Sequence, residues 1–341
     1  MKSGWHRAGL EKNASEAEGT LTLKDDNKEA GSLTAKGGGS AAGIGGSYNG
    51  YHKNNGTKNI IITGGTVNAT GGQCGAGIGG GSDGGGKNIT ISGGTVTAAG
   101  GNYGAGIGGG DYGSGEDITI NGGTVTATGG FRGAGIGGGG KNITINRGTV
   151  NATGGDEGAG IGGGHEGSGE NITISGGTVT AAGGYFAAGI GGGSGGSGSN
   201  VTVSGAAQVT AVAGKSKTNH YYPYNKIDSG ATIGNGSRVT SDALVNGEEI
   251  QADISGLMTT GYIHHIIYNE DGSVKQEWRE FGHLQPAPDT PNAPAEESNE
   301  VDLGTPGLHV ETLEGSPLPF NARRQGSTLR VTTDNLSAPT H

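Results

Sequence analysis

The sequence predicts an all-β protein: a right-handed parallel β-helix of about six to seven coils with a β-rich C-terminal cap. Three observations predict it: a repeat of nearly fixed length, alternation of apolar and polar residues in short segments, and glycine at the joints between segments. A Thr-Val step recurs at spacings of 29, 29, 25 and 29 residues, beginning at Thr66, Thr95, Thr124, Thr149 and Thr178. A period of this size is typical of stacked repeats.

Each unit contains three strand-like segments, exemplified by Asn-Ile-Thr-Ile-Ser, Thr-Val-Thr-Ala and Gly-Ala-Gly-Ile-Gly in residues 88–108. Alternation places the apolar side chains of each segment on one side of the backbone. One unit cannot cover that side alone, whereas stacked units about 4.8 Å apart pair equivalent strands in parallel and enclose a core. Parallel crossovers are nearly always right-handed, which predicts the hand of the coil.

The substitutions between units agree with this arrangement, because the inward positions stay aliphatic. The first inward position contains Ile60, Ile89, Ile118, Ile143, Ile172 and Val201. The third contains Val67, Val96, Val125, Val150, Val179 and Val209. The 25-residue unit has lost residues only between Gly137 and Ile143, so we expect the loss in a loop.

A polar column precedes the first segment of each unit. It contains Asn59, Asn88, Asp117, Asn142, Asn171 and Asn200. Amides stacked at a bend can hydrogen-bond along the column, which predicts an asparagine ladder. Asn88, Asn142 and Asn171 also begin Asn-x-Thr sequons, so glycosylation in a eukaryotic secretory pathway is the alternative.

Composition shifts divide the chain into five regions. We expect a polar lead-in over residues 1–30, the glycine-rich β-helix over 31–214 and the C-terminal cap over 215–284. In the cap, Tyr262 to Tyr268 and Val274 to Trp278 flank Glu-Asp-Gly-Ser, which is typical of a β-hairpin. A Pro/Ala/acidic linker over 285–300 and a partial β module over 301–341 complete the chain.

Charge and cysteine content exclude several functional classes. The net charge of −10 and the absence of a basic stripe argue against a nucleic-acid partner. Cys74 is the only cysteine, so there is no intramolecular disulfide and no cysteine framework for a metal. No apolar run approaches the length of a membrane span, and we expect no cofactor. The first residues lack a signal peptide, so we expect the chain to be part of a longer secreted protein.

The candidate binding site is a column of variable dipeptides that precede the Gly-Ile-Gly step. The candidate residues are Asn102, Tyr103, Phe131, Arg132, Asp156, Glu157, Tyr185 and Phe186, and the preceding unit has Gln73-Cys74 at this position. Aromatic faces beside polar groups suit sugar rings, which predicts a glycan or another host or cell-surface ligand. The alternative is that corners tolerate any residue and that the aromatic rings pack on each other.

Loops expected on the opposite side form a second candidate. They contain Asp111, Tyr112, Glu116, His165, Glu166 and Glu170. Their carboxylates could bind Ca²⁺, although they lack the nine-residue pattern of calcium-binding β-rolls, and solvated charges are the simpler interpretation. We expect no other metal site.

Outward threonine pairs such as Thr95/Thr97 and Thr124/Thr126 form ranks that Asn68 and Asn151 interrupt. A flat threonine array can order water for ice binding, but threonine is also a good exposed strand residue. Polysaccharide-degrading enzymes need several acids or bases on one strand face, whereas these faces are almost all Thr, Asn, Ser or Gly. We therefore expect no enzymatic activity.

The repeated Gly-Gly-Thr-Val-Thr-Ala to Gly-Ala-Gly-Ile-Gly-Gly-Gly pattern is also informative as a whole. It occupies residues 64–81, 93–110, 122–139, 147–164 and 176–193. Over about residues 33–214 the chain resembles glycine-rich repeats in large surface proteins of Gram-positive gut bacteria, which often carry a carbohydrate-binding label. The resemblance implies a secreted, wall-associated adhesin that binds glycans, and it transfers no defined site. The alternative is a passive stalk or spacer of a larger cell-wall protein.

Overall fold

The structure, a computed structural model, describes residues 6–12, 19–25, 31–48, 56–215, 229–239, 244–245, 247–285, 320–325 and 328–333. These residues form β-strands and turns. The chain divides into two compact units, Met1–Ala287 and Pro288–His341.

The strands are short and follow a repeating order. The first four are β1 (Leu10–Glu11), β2 (Leu21–Leu23), β3 (Ser32–Lys36) and β4 (Ile44–Gly45). Five regular turns of three strands each follow, of which turn 1 contains β5 (Thr57–Ile62), β6 (Thr66–Thr70) and β7 (Ile78–Gly79). Turn 2 contains β8 (Gly86–Ile91), β9 (Thr95–Ala99) and β10 (Ile107–Gly108), and turn 3 contains β11 (Gly115–Ile120), β12 (Thr124–Thr128) and β13 (Ile136–Gly137). Turn 4 contains β14 (Lys141–Ile145), β15 (Thr149–Thr153) and β16 (Ile161–Gly162), and turn 5 contains β17 (Gly169–Ile174), β18 (Thr178–Ala182) and β19 (Ile190–Gly191). The remaining strands are β20 (Gly198–Val203), β21 (Gln208–Val212), β22 (Ile233–Gly234), β23 (Arg238–Val239), β24 (Leu244–Val245), β25 (Tyr262–Tyr268), β26 (Val274–Phe281), β27 (Phe320–Gln325) and β28 (Thr328–Thr333).

Equivalent strands of successive turns stack into three sheets. The first sheet has the order β2-β5-β8-β11-β14-β17-β20, the second β26-β25-β21-β18-β15-β12-β9-β6-β3, and the third β1-β4-β7-β10-β13-β16-β19-β22. Pairing between turns is parallel and residue for residue, so Ile118 lies between Ile89 and Ile143. The predicted parallel β-helix is therefore confirmed.

The regular part comprises about five turns, slightly fewer than the six to seven predicted. The strands at each end, β2–β4 and β20–β22, join the same sheets. They depart from the regular pattern: β2 has three residues where β5 has six, and a longer segment separates β21 from β22 than separates β18 from β19.

The core is a set of aliphatic columns enclosed by the three sheets. Ile89, Ile91, Val96 and Ile107 of turn 2 are fully buried, as the alternation predicts. Glycine lines the third sheet because backbones approach closely there: a Cβ on Gly108, whose φ is +134°, would lie 2.1 Å from the carbonyl oxygen of Gly137. Only glycine combines that φ with that approach.

The asparagine ladder is confirmed in both its bonds and its backbone. Its members have left-handed φ values of 52–60°. The Nδ2 of Asn142 donates to Oδ1 of Asp117 at 2.9 Å, and the Nδ2 of Asn171 donates to Oδ1 of Asn142 at 3.1 Å. Asn and Asp tolerate this conformation better than other non-glycine residues, which explains why they occupy the column.

The predicted hairpin is also confirmed and extends the second sheet. Strand β25 pairs in parallel with β21, and β26 then pairs antiparallel with β25. His265 of β25 is buried and stacks on Trp278 of β26, with ring centroids 4.4 Å apart. His264 pairs instead with Glu277 at 2.6 Å, so the two adjacent histidines have different surroundings.

The second unit contains a described antiparallel hairpin, β27 and β28. The predicted linker, apart from Gln285, lies outside the described residues, as does the predicted strand Leu308–Leu313.

Candidate functional site

The variable dipeptides lie at the turn between the second and third sheets, between β6 and β7 and at the equivalent places in turns 2 to 5. Their backbones stack: the amide of Tyr103 donates to the carbonyl of Gln73 at 3.1 Å, that of Arg132 to Asn102 at 3.2 Å, and that of Glu157 to Phe131 at 2.9 Å. Main-chain groups therefore hold these corners together, and their side chains are free to differ.

The structure corrects the position of the second group of loops. The sequence placed Asp111 and His165 opposite the dipeptides, but the amide of Asp111 donates to the carbonyl of Cys74 at 2.8 Å and that of His165 to Arg132 at 2.9 Å. These loops thus lie beside the dipeptides, one turn further along. We call the two groups together, on either side of the third sheet, the loop face.

Glu116 and Glu170 are not part of the loop face. They lie in β11 and β17, where Glu116 is 3.4 Å from Nζ of Lys87 and Glu170 is 3.6 Å from Nζ of Lys141. Bonding to Glu116, and then the charge of Asp117, raise the pKa of Lys87. These carboxylates belong to a column of alternating charge beside the asparagine ladder.

Arg132 is the centre of the best-connected cluster on the loop face. Its Nε donates to Oε2 of Glu157 at 3.1 Å, and its Cζ lies 5.7 Å from the centroid of the Tyr103 ring. The same Glu157 oxygen is 3.1 Å from Nδ1 of His165, although the ring is not aligned for a hydrogen bond. The cluster thus joins predicted residues of turns 2 to 4 with one from the second loop group.

Asp111 belongs to the same cluster. Burial, and then the charge of Asp83, raise the pKa of its carboxyl, while the charge of Arg132 opposes the rise. Burial also raises the pKa of the neighbouring Cys74 thiol, which disfavours the reactive thiolate.

The remaining predicted residues are not joined into one stack. Tyr185 and Phe186 contact each other, with ring centroids 6.2 Å apart, whereas Phe131 is 43 % exposed. Within the dipeptides, all of which the structure describes, this is the only ring pair. Asn102 is exposed and Asp156 half-buried. The aromatic side chains therefore form separate contact points.

Two features of the site escaped sequence reasoning. One is the adjacency of Asp111 and His165 to the dipeptides. The other is the left-handed backbone of Asp83, Tyr112 and Glu166, which share one loop position and have φ values of 54–56°. The sequence signal for these left-handed residues was their recurrence one position before a glycine, at Gly84, Gly113 and Gly167. Tyr112 is 86 % exposed in this conformation.

Comparison with known proteins supports the fold class. Five segments match the family described as a beta helix repeat, at residues 60–82, 89–111, 118–140, 143–165 and 172–194. They coincide with turns 1 to 5, so the repeat and the observed solenoid both define a parallel β-helix type of protein, a class consistent with a surface or structural role. Searches of curated proteins and of solved structures find no match to the chain.

Two searches of the described residues concern other partners. In those residues, no helix is long and apolar enough to cross a membrane. Across the same ranges, no three His, Cys, Asp or Glu side chains are grouped so that they could hold a metal ion.

Proposed function

We propose that this chain is an extracellular surface protein, an adhesin, that binds glycans through the loop face. The observation that carries the proposal is the cluster of Tyr103, Arg132 and Glu157, in which an aromatic ring, a guanidinium and a carboxylate from three successive turns lie together. Sugars present apolar ring faces and hydroxyl edges, and this combination serves both.

The rest of the molecule supports a binding role over a catalytic one. The outward residues of the second sheet are mostly Thr and Asn, and on the first sheet Lys87 pairs with Glu116 and Lys141 with Glu170. The net charge of −10 favours an uncharged partner over nucleic acid. The resemblance of the repeats to bacterial wall proteins adds the cell surface or cell wall as the proposed location.

A glycan array with the full chain tests the proposal. The variant Tyr103→Ala/Phe131→Ala/Tyr185→Ala removes the aromatic contact points of three turns. We expect at least a tenfold loss of signal, because stacking contributes about 1 kcal/mol per ring or more. The matched control is Thr97→Ala/Thr126→Ala/Thr180→Ala, which changes three outward positions of the second sheet in turns 2, 3 and 5 and should bind as the wild type does.

Equal binding by the aromatic variant and the wild type would contradict this use of the loop face. Absence of binding by the wild type would contradict glycan recognition itself. Turnover of an arrayed polysaccharide would contradict the proposal that the chain is not an enzyme.

The asparagine ladder favours a second candidate, a passive spacer within a larger cell-wall protein. Side-chain bonds link Asn59 to Asn88 and link Asp117 through to Asn200, outside the backbone pairing of the sheets. A spacer needs such reinforcement between turns but no exposed recognition groups. It predicts that the intact chain binds nothing on the array.

A further inference from the structure

The third turn lacks part of its loop. Seven residues lie between Gly108 and Glu116 after turn 2, but only three separate Gly137 from Lys141, the partner of Glu116. Strand pairing resumes at once, with Lys141 opposite Glu116 and Ile143 opposite Ile118. The four missing residues therefore come entirely from the loop face and leave the core columns intact.

The missing residues expose backbone that is buried elsewhere. Gly138 and Gly139 are half-buried, whereas the equivalent glycines at 80–81, 109–110, 163–164 and 192–193 are buried. In regular turns the left-handed loop residue donates to the next turn, as Asp83 does to Asp111 at 2.7 Å and Glu166 to Ser194 at 2.8 Å. Turn 3 has no residue to receive the equivalent bond from Tyr112.

The gap between the loops of turns 2 and 4 is therefore one loop layer thick. We call it the notch: Gly138–Gly139 form its floor, Asp111–Tyr112 one wall and His165–Glu166 the other. Each layer of a β-solenoid occupies about 4.8 Å. One absent layer leaves room for a single flat ring, such as a pyranose lying parallel to the layers.

The groups beside the notch match the edge of such a ring. The backbone of Arg132 belongs to the short turn itself. The charge of its guanidinium opposes the rise in the pKa of Asp111 on one wall, and its Nε donates to Glu157 near the other wall. The Arg132 side chain is 41 % exposed, so its terminal amino groups can donate to a ligand oxygen. The carboxylates of Asp111 and Glu157 can accept from hydroxyls, and the Tyr112 ring is exposed at the rim.

Local charge selects among sugars. Asp111, Glu157 and Glu166 carry negative charge against the single positive charge of Arg132, so an acidic sugar would be repelled. We propose that the notch is the subsite for one neutral pyranose residue of a glycan. This inference rests on the proposed function, because it assigns glycan binding to one place on the loop face.

Filling the notch tests the inference. Insertion of Ser-Gly-Gly-Ser between Gly139 and Gly140 restores a 29-residue turn with the loop sequence of Ser194–Ser197. We expect this filled variant to lose at least tenfold in binding to arrayed neutral hexosides, with an unchanged melting temperature. The matched control inserts the same four residues into the turn between β25 and β26, between Asp271 and Gly272, which leaves the notch open. It should bind as the wild type does.

A second variant keeps the test decisive if the insertion perturbs folding. Tyr112→Ala changes a residue outside the dipeptides whose side chain is almost fully exposed, and we expect it to weaken hexoside binding about fivefold or more. Methyl hexopyranosides in solution should compete with the array, while sialic acid and uronic acid probes should give lower signal.

The outcomes separate the two proposals. Binding by the wild type that survives both the filled variant and Tyr112→Ala would overturn the notch and leave glycan binding elsewhere on the loop face. Preference for acidic probes would overturn the assignment to neutral sugars. Absence of any binding by the wild type would overturn the proposed function and the notch together.

Discussion

Two corners of the same coil use opposite means of stacking. At the asparagine ladder, side chains bond to side chains, as between Asn171 and Asn142 at 3.1 Å. At the loop face, backbone bonds to backbone, as between Glu157 and Phe131 at 2.9 Å. The first corner keeps Asn or Asp in every turn, whereas the second has a different dipeptide in every turn.

The difference shows where a repeat protein can acquire a function. When a side chain forms the contact between turns, its identity is fixed by its copies above and below. When the main chain forms that contact, the side chain is released for a partner. The ladder thus stabilises the solenoid, and the loop face is available for recognition.

The largest expected change in stability comes from replacing asparagine with alanine at the ladder, in contrast to the same replacement at the loop face. Asn142→Ala removes two side-chain bonds, worth about 1 kcal/mol each, and places alanine at a φ of 57°. We expect a loss of about 2–3 kcal/mol in urea unfolding. Asn102→Ala at the loop face should change stability by less than about 0.5 kcal/mol.

Asn142→Gly separates the two contributions, because glycine tolerates the left-handed backbone but makes no side-chain bond. It should be less damaging than alanine. Equal losses for Asn142→Ala and Asn102→Ala would refute the division of labour between the corners.

A smaller change in stability, a gain instead of a loss, is expected at Asp117, where an aspartate interrupts the column of asparagines. Asp117 accepts a bond from Asn142, but an ionised carboxylate cannot donate one to Asn88. Asp117→Asn supplies that donor and gives up the exposed contact of Asp117 with Lys87 at 3.6 Å, while Lys87 keeps Glu116. We expect a net gain of about 0.5 kcal/mol. Since salt screens the lost ion pair, the gain should persist in high salt, and destabilisation there would count against the ladder.

The smallest expected change in stability is at Asp111 on the loop face, and its size depends on pH. Burial and Asp83 raise the folded-state pKa of Asp111 above its ordinary value of 3.8. The stability linked to this group is therefore fully present below pH 3.8 and is lost as pH rises through the folded-state pKa. Asp111→Asn should be more stable than the wild type at neutral pH, and the difference should shrink in acid.

Chemical denaturation across this pH range measures the effect, with Asp156→Asn as the control for loss of one charge. If the notch binds sugar, the same Asp111→Asn variant should bind hexosides less well. If Asp111→Asn were less stable than the wild type at neutral pH, the Asp111 carboxylate would stabilise the fold, contrary to this prediction.

Much of the fold could be predicted because equivalent residues stack on each other. Ile89 meets Ile118 and Asn142 meets Asn171, so a recurring residue type predicts its own contact. The bonds from Asp111 to Cys74 and from His165 to Arg132 join positions that are not equivalent, and no repeated residue type marks them. The dipeptides could be found by their variability, but their neighbours depend on the left-handed turns at Tyr112 and Glu166. The shortened turn was visible in the sequence, whereas its exposed glycine floor required coordinates.

Strand β26 has a consequence for the edge of the second sheet. It runs antiparallel to β25 and presents Lys275, Glu277 and Arg279 along its exposed surface. A further coil would have to add in parallel to continue the pattern, and a charged strand of reversed direction offers a poor template for it. The hairpin thus caps this edge of the second sheet and discourages end-to-end association there.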